Sequence, residues 1–307
     1  MRTTNLMIIG LALAGAALIL GQSVGCYTES AGRWEPGQAA PAPTAPQASR
    51  APQASQPGQV YYLDGAGGGG MTGGWGRGVR KGLEEAGLKG GFTNYPWHTQ
   101  LGVMTDQRAS VKFKRDKAAQ LARSIRQSLE ANPDAPLNLI GLSAGTAVAV
   151  FALEALPENV AVDNVVLLGS SLSSQYDLTS ALKRVDNRMY VFTSSRDTVL
   201  RFLVPVAGTA DRKRTAGPAA GVGGFRLPLG ASSETRRLYA KLVNVAWNPE
   251  FERAGNYGGH TAVAGWRFVR DYVAPLILQE GPRYMRAGAR LRWASQTTAP
   301  SPKPATP

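Results

Sequence analysis

Cysteine and histidine are scarce in this 307-residue chain: one cysteine, Cys26, and two histidines, His98 and His260. One cysteine rules out an intrachain disulfide and any Cys₂ or Cys₄ zinc site. Chemistry that needs an imidazole has two positions to choose from. No G-K-[ST] follows the glycine-rich stretches, which excludes a phosphate loop of that type. Helix-turn-helix, zinc-finger and aromatic RNA-binding signatures are also missing, so nucleic acid is not an expected partner. The formal charge is nevertheless +13. One positive charge belongs to the leader (Arg2) and one to the tail (Lys303). Those of the tether cancel, which leaves +11 on the core. The arginines are scattered and read first as a solvated basic face; affinity for an anionic surface is the alternative.

Hydrophobic residues make up 43% of the chain and charged residues 18%, enough apolar material for a packed core. It is unevenly spread. Residues 1–25 carry Arg2, then an apolar run over 6–20 (LMIIGLALAGAALIL), then small residues up to Cys26. The run is too short for a comfortable transmembrane helix and reads as an export signal. Ser23-Val24-Gly25-Cys26 resembles the lipobox of bacterial lipoproteins, with serine where leucine is usual. That resemblance implies cleavage before Cys26, lipidation of its sulfur, and a chain held on a membrane of the cell envelope. Residues 26–58, rich in Pro, Ala and Gln with a near-repeat of APQAS, read as an extended tether, and 296–307 as a tail of the same kind. What remains, 59–295, is long enough for one domain.

Within that stretch apolar β-type runs alternate with helical patterns. Strands are expected at 60–64, 91–97, 137–142, 162–169, 188–193 and 241–247. Helices are expected at 76–86, 112–131, 146–156, 178–185 and 262–278. This alternation predicts an α/β domain whose mostly parallel sheet carries helices on both faces and its ligand site at the carboxyl ends of the strands. Residues 200–237, rich in Gly, Pro and basic side chains, break the rhythm and read as an insertion or lid.

Gly141-Leu142-Ser143-Ala144-Gly145 lies between an expected strand and an expected helix, the setting of a nucleophile elbow. The sharp turn strains Ser143, presents its hydroxyl outward, and admits no side chain at either flank. A serine hydroxyl needs a general base, and His260, in Tyr257-Gly258-Gly259-His260-Thr261, sits in a small-residue loop before a helix. Ser194-Ser195-Arg196-Asp197 follows an expected strand between the two; Asp186 lies before that strand, at the wrong end, and Asp211 and Glu250 are weaker carboxylate candidates. GLSAG, SSRD and GGH, in this order, resemble the α/β-hydrolase superfamily over essentially all of 59–295. The resemblance implies a Ser143–His260–Asp197 triad, an acyl-enzyme resolved by water, and no metal or organic cofactor. It also implies an oxyanion hole made by the Ala144 amide and by Ala66 or Gly67 in the glycine loop 65–70, where Asp64-Gly65 replaces the usual His-Gly opening. His98 and Trp97 end an expected strand on the same side and are possible pocket residues, although packing is the better reading for Trp97. The expected activity is that of an envelope-anchored esterase or lipase-like enzyme with a small-molecule or lipid-like acyl substrate. The alternative is a non-catalytic hydrolase-fold lipoprotein that binds an envelope component. The glycine loop also matches G-x-G-x-x-G, but four consecutive glycines match many patterns, and dinucleotide binding is set aside.

Overall fold

The computed structural model describes residues 58–68, 74–204, 208–212 and 218–278. The export signal, Cys26, the tether up to residue 57, Gly69, Gly70 and the tail 296–307 lie outside the described residues. Strands β1 (Gln59–Leu63), β2 (Gly91–Asn94), β3 (Leu137–Leu142), β4 (Val162–Leu168), β5 (Val185–Thr193) and β6 (Leu242–Ala246) form a six-stranded sheet in the order β2-β1-β3-β4-β5-β6. Every neighbouring pair is parallel. The chain leaves β1 toward β2 on one side and builds β3 to β6 on the other. Connections therefore diverge between β1 and β3, the kind of switch point at whose carboxyl ends open α/β sheets place their ligand site.

Side chains of a strand alternate between the two faces, so each strand feeds two cores. On one face Val60, Tyr62, Ile140 and Leu142 pack with Val79 and Leu83 of α1 (Gly74–Glu85) and with Phe268, Val269 and Val273. On the other, Tyr61, Leu63 and Leu139 pack with Leu121 and Ile125 of α3 (Val111–Ala131) and with α4 (Gly145–Ala155). Strands β3 and β4 are buried at every position, as a two-sided parallel sheet requires. Truncating one of their large side chains, such as Ile140, to alanine costs about 2–5 kcal/mol. Helix α4 is buried continuously from Gly145 to Leu153 because it sits against both the sheet and α3, which explains its apolar sequence without a polar stripe. Helix α3 opens where the Ser110 side chain accepts the Phe113 amide at 3.1 Å and closes at Asn132 before Pro133.

Several boundaries differ from the sequence reading for local reasons. The strand expected over 91–97 ends at Asn94, since Pro96 has no N–H for a ladder. The helix expected over 178–185 is confined to Thr179–Leu182, because Val185 already pairs with Val162 as the first residue of β5. Helix α2 (Val103–Arg108) has no counterpart in that reading: six residues after Gly102 are too few to show a period. The closing helix is interrupted at Gly265. A 3-10 turn at Ala262–Ala264 precedes it, and a helical run over 266–278 with a π-turn at Val269–Val273 follows. Part of 200–237 packs onto the sheet domain, while residues 226–238 are exposed or half-buried. Ala220 and Phe225 join the core, and Gly221 bridges the ends of β4 and β5, donating to the Ser170 carbonyl and accepting from the Ser194 amide, both at 2.8 Å.

Candidate active site

Ser143 follows β3 with φ of +50°, a conformation that costs a non-glycine residue about 1–2 kcal/mol. Its neighbours explain how the turn is enforced. A Cβ on Gly141 would meet the Thr146 backbone at 2.9 Å, and one on Gly145 would meet the Leu63 carbonyl oxygen at 2.3 Å. A side chain at Gly141 would push β3 from the start of α4, and one at Gly145 would drive the elbow off the end of β1. The Ser143 amide donates to the Leu168 carbonyl at 2.9 Å, which ties the turn to β4.

The hydroxyl so presented lies 2.8 Å from His260 Nε2, and His260 Nδ1 lies 2.7 Å from Asp197 Oδ2. Asp197 follows β5 and is buried; its Oδ1 accepts the Leu200 amide at 2.9 Å. Arg196 does not compete for it. That guanidinium stacks 3.7 Å over the Trp247 ring and pairs with Glu252 at 3.1 Å. Beneath the pair, at the end of β4, Gly169 takes φ +52°, and a Cβ there would only touch Asp197 Oδ2 and His260 Nδ1, at 3.6 Å, so the backbone conformation is what favours glycine. The other acidic candidates are elsewhere. Asp186 is at the amino-terminal end of β5, Asp211 accepts the Ser173 amide at 3.0 Å, and Glu250 lies in the turn Pro249–Ala254.

Ser194, Asn256 and Trp247, none of them given a role in the sequence reading, hold the histidine loop. The Ser194 hydroxyl donates to the Gly258 carbonyl at 2.8 Å, which joins the acid loop to the histidine loop. Asn256 accepts the Gly258 amide at 3.0 Å, and Trp247 Nε1 donates to the Asn256 carbonyl at 2.9 Å. Gly258 has φ +87° and no room for a side chain beside Ser194 and Arg196. Ser194 belonged to the SSRD motif; Asn256 and Trp247 carried no signal, because their contacts cross loops.

The glycine loop after β1 lies against the serine: a Cβ on Gly65 would be 3.4 Å from Ser143 Cβ. The Gly67 amide donates to Asp106 Oδ2 at 2.8 Å, so it is withdrawn from the oxyanion candidates. The Ala66 and Ala144 amides have no acceptor among the described residues. Trp97 is fully buried and is no pocket wall; its Nε1 donates to the Asp64 carbonyl at 2.9 Å. His98 is buried too, with Nε2 2.8 Å from the Gly65 carbonyl oxygen, so it borders the loop rather than an open pocket. Asp64 Oδ1 accepts from Tyr62 and from the Gly65 amide, both at 2.9 Å. Burial raises the Asp64 carboxyl, and burial together with Asp64 holds the Tyr62 phenol well above its usual range. Among the described residues, no group of three or more His, Cys, Asp or Glu side chains could hold a metal ion.

Residues 92–207 match the model of a family described as alpha/beta hydrolase. That stretch includes Ser143 and Asp197 and ends before His260. No curated protein matches the chain. Among solved structures, the ydeN gene product of B. subtilis is similar at 14% identity and a TM-score of 0.41, covering 72% of this chain and 100% of its own. A cutinase-like protein from Cryptococcus sp. is similar at 17% identity and a TM-score of 0.35, covering 77% of this chain and 96% of its own. The fold is of the α/β-hydrolase type, a parallel sheet with helices on both faces, and the family match supports a hydrolase.

Proposed function

We propose that the protein is a serine hydrolase acting on carboxylic esters. One observation carries the reading: a strained serine at a strand-to-helix turn is hydrogen-bonded to an imidazole whose other nitrogen meets a buried carboxylate. In this scheme Ser143 Oγ attacks the ester carbonyl carbon as His260 Nε2 takes its proton. Asp197 keeps the imidazole in the tautomer with Nδ1 protonated and stabilises the imidazolium. The Ala66 and Ala144 amides receive the oxyanion. His260 returns the proton to the departing alkoxide. Water, deprotonated by the same nitrogen, then releases the acid and restores Ser143. None of these steps calls on a cofactor.

The rim favours an apolar acyl group. Val103 and Met104 stand exposed on α2, beside the glycine loop, with Leu101 just before them. Phe202 is exposed five residues after Asp197, and Tyr257 three residues before His260. Labelling the full chain with a fluorophosphonate, beside Ser143→Ala and His260→Ala, tests the reading. Wild type alone is expected to label. A folded wild type that does not label, or a Ser143→Ala variant that does, refutes it. We further propose anchoring to an envelope membrane through lipid on Cys26. Among the described residues no helix is long and apolar enough to cross a membrane. Metabolic labelling with a fatty acid, lost in Cys26→Ser, is the expected result, and unchanged labelling refutes it.

A further inference from the structure

The turn at 65–68 is a glycine-rich segment held from outside by buried side chains. The Gly68 amide donates to the Gly65 carbonyl at 2.9 Å, and Gly67 has φ +80°, the signature of a type II turn with Ala66 in its second position. Asp64 takes the Gly65 amide and Asp106 the Gly67 amide, while His98 meets the Gly65 carbonyl. Asp106 is itself fixed by the Thr99 amide at 2.7 Å and the Thr99 hydroxyl at 2.5 Å.

His98 is an odd choice for packing alone. The Gly65 oxygen can only accept, so Nε2 must carry the proton, and Nδ1 is left buried with no hydrogen-bond partner among the described residues. An apolar side chain would fill the space beside Trp97, whose ring centroid is 4.5 Å away, without burying an unpaired nitrogen. The Gly68 amide holds the Gly65 carbonyl only from within the turn; an apolar side chain at position 98 cannot tie that oxygen to the rest of the fold. That carbonyl and the Ala66 N–H belong to one planar trans peptide unit and point in opposite directions. A donor fixed on the oxygen therefore aims the N–H on the far side. Glycine-rich backbone has the widest conformational freedom, and a misplacement of about 1 Å can cost about a hundredfold in rate.

We propose that His98 is a positioning residue: its Nε2–H pins the Gly65 carbonyl so that the Ala66 N–H faces the carbonyl oxygen of an ester at Ser143. The inference rests on the serine hydrolase reading above. It touches no substrate atom, so its loss is expected in kcat and not in KM.

Steady-state kinetics on an ester, with the full chain, test it through His98→Leu, His98→Gln and His98→Asn. The Gln amide nitrogen can stand where Nε2 stands; the Asn nitrogen matches Nδ1 and falls short of the carbonyl. His98→Leu and His98→Asn are expected to lower kcat about ten- to a hundredfold, with KM within about twofold. His98→Gln is expected to recover most of kcat, and fluorophosphonate labelling rates to follow the same order. A folded His98→Leu with wild-type kcat overturns the proposal. So does equal kcat in the Gln and Asn variants, which also decides the matter if His98→Leu does not fold. A wild type with neither turnover nor labelling overturns the hydrolase reading and this proposal together, whereas an active wild type beside an equally active His98→Leu overturns this one alone.

Discussion

Replacing Ala66 with proline removes one N–H from the glycine loop and little else. The second position of a type II turn favours proline, whose ring supplies the φ that the turn already needs. The Ala66 amide has no acceptor among the described residues, so no hydrogen bond there is lost from the folded protein. Stability should hold, or rise by up to about 1 kcal/mol as the unfolded chain loses freedom. Catalysis should not hold. The Gly67 amide is engaged by Asp106 at 2.8 Å and the Gly65 amide by Asp64 at 2.9 Å, so neither can take over. One oxyanion donor supplies about 3–4 kcal/mol, so kcat is expected to fall about 100- to 1000-fold. The assay is ester turnover of Ala66→Pro beside Ala66→Gly, which keeps the N–H, with thermal denaturation of both. Retention of kcat within about threefold refutes the assignment of Ala66. A rise in KM with kcat preserved refutes it too, since that marks a ring obstructing substrate rather than a missing donor.

Ser143→Gly is expected to be inactive yet more stable than Ser143→Ala by about 1 kcal/mol, because only glycine accepts φ +50° without strain. Paired melting curves check this, and a glycine variant that melts no higher contradicts the strain argument. Gly145→Ala, whose Cβ would meet the Leu63 carbonyl oxygen at 2.3 Å, is expected to lose about 1–3 kcal/mol and most activity; chemical denaturation and ester turnover measure both, and a stable, active variant contradicts the close packing. Lys114 is fully buried, its ammonium donating to the Gln107 and Ala109 carbonyls, and burial pushes it down to about 8 from 10.5. Between those values the unfolded chain binds more protons than the folded one, so stability rises with pH across that window, by up to about 3 kcal/mol. Denaturation of wild type and Lys114→Met near neutral pH and near pH 10 compares them. A wild type that gains nothing relative to Lys114→Met across the window contradicts a deprotonating buried lysine.

Much of this protein is local and so readable from the chain. Short continuous apolar runs alternating with helical patterns identify a two-sided parallel sheet, because its central strands must bury both faces. Gly141 and Gly145 announce the elbow, because a backbone that approaches its neighbours closely excludes side chains whatever the rest of the fold does. With two histidines in the chain, His260 was the natural base for Ser143. Tertiary structure decided what depends on which side chain meets which amide across a loop. It sent the Gly67 amide to Asp106, on a helix too short to show a period, and buried Trp97 as a donor to the Asp64 carbonyl. It turned Arg196 to Trp247 and Glu252, leaving Asp197 to His260, and set His98 against the glycine loop. Hydrogen bonds are directional over about 3 Å, and residues far apart in the chain come within that range only once the sheet has placed their loops at one end.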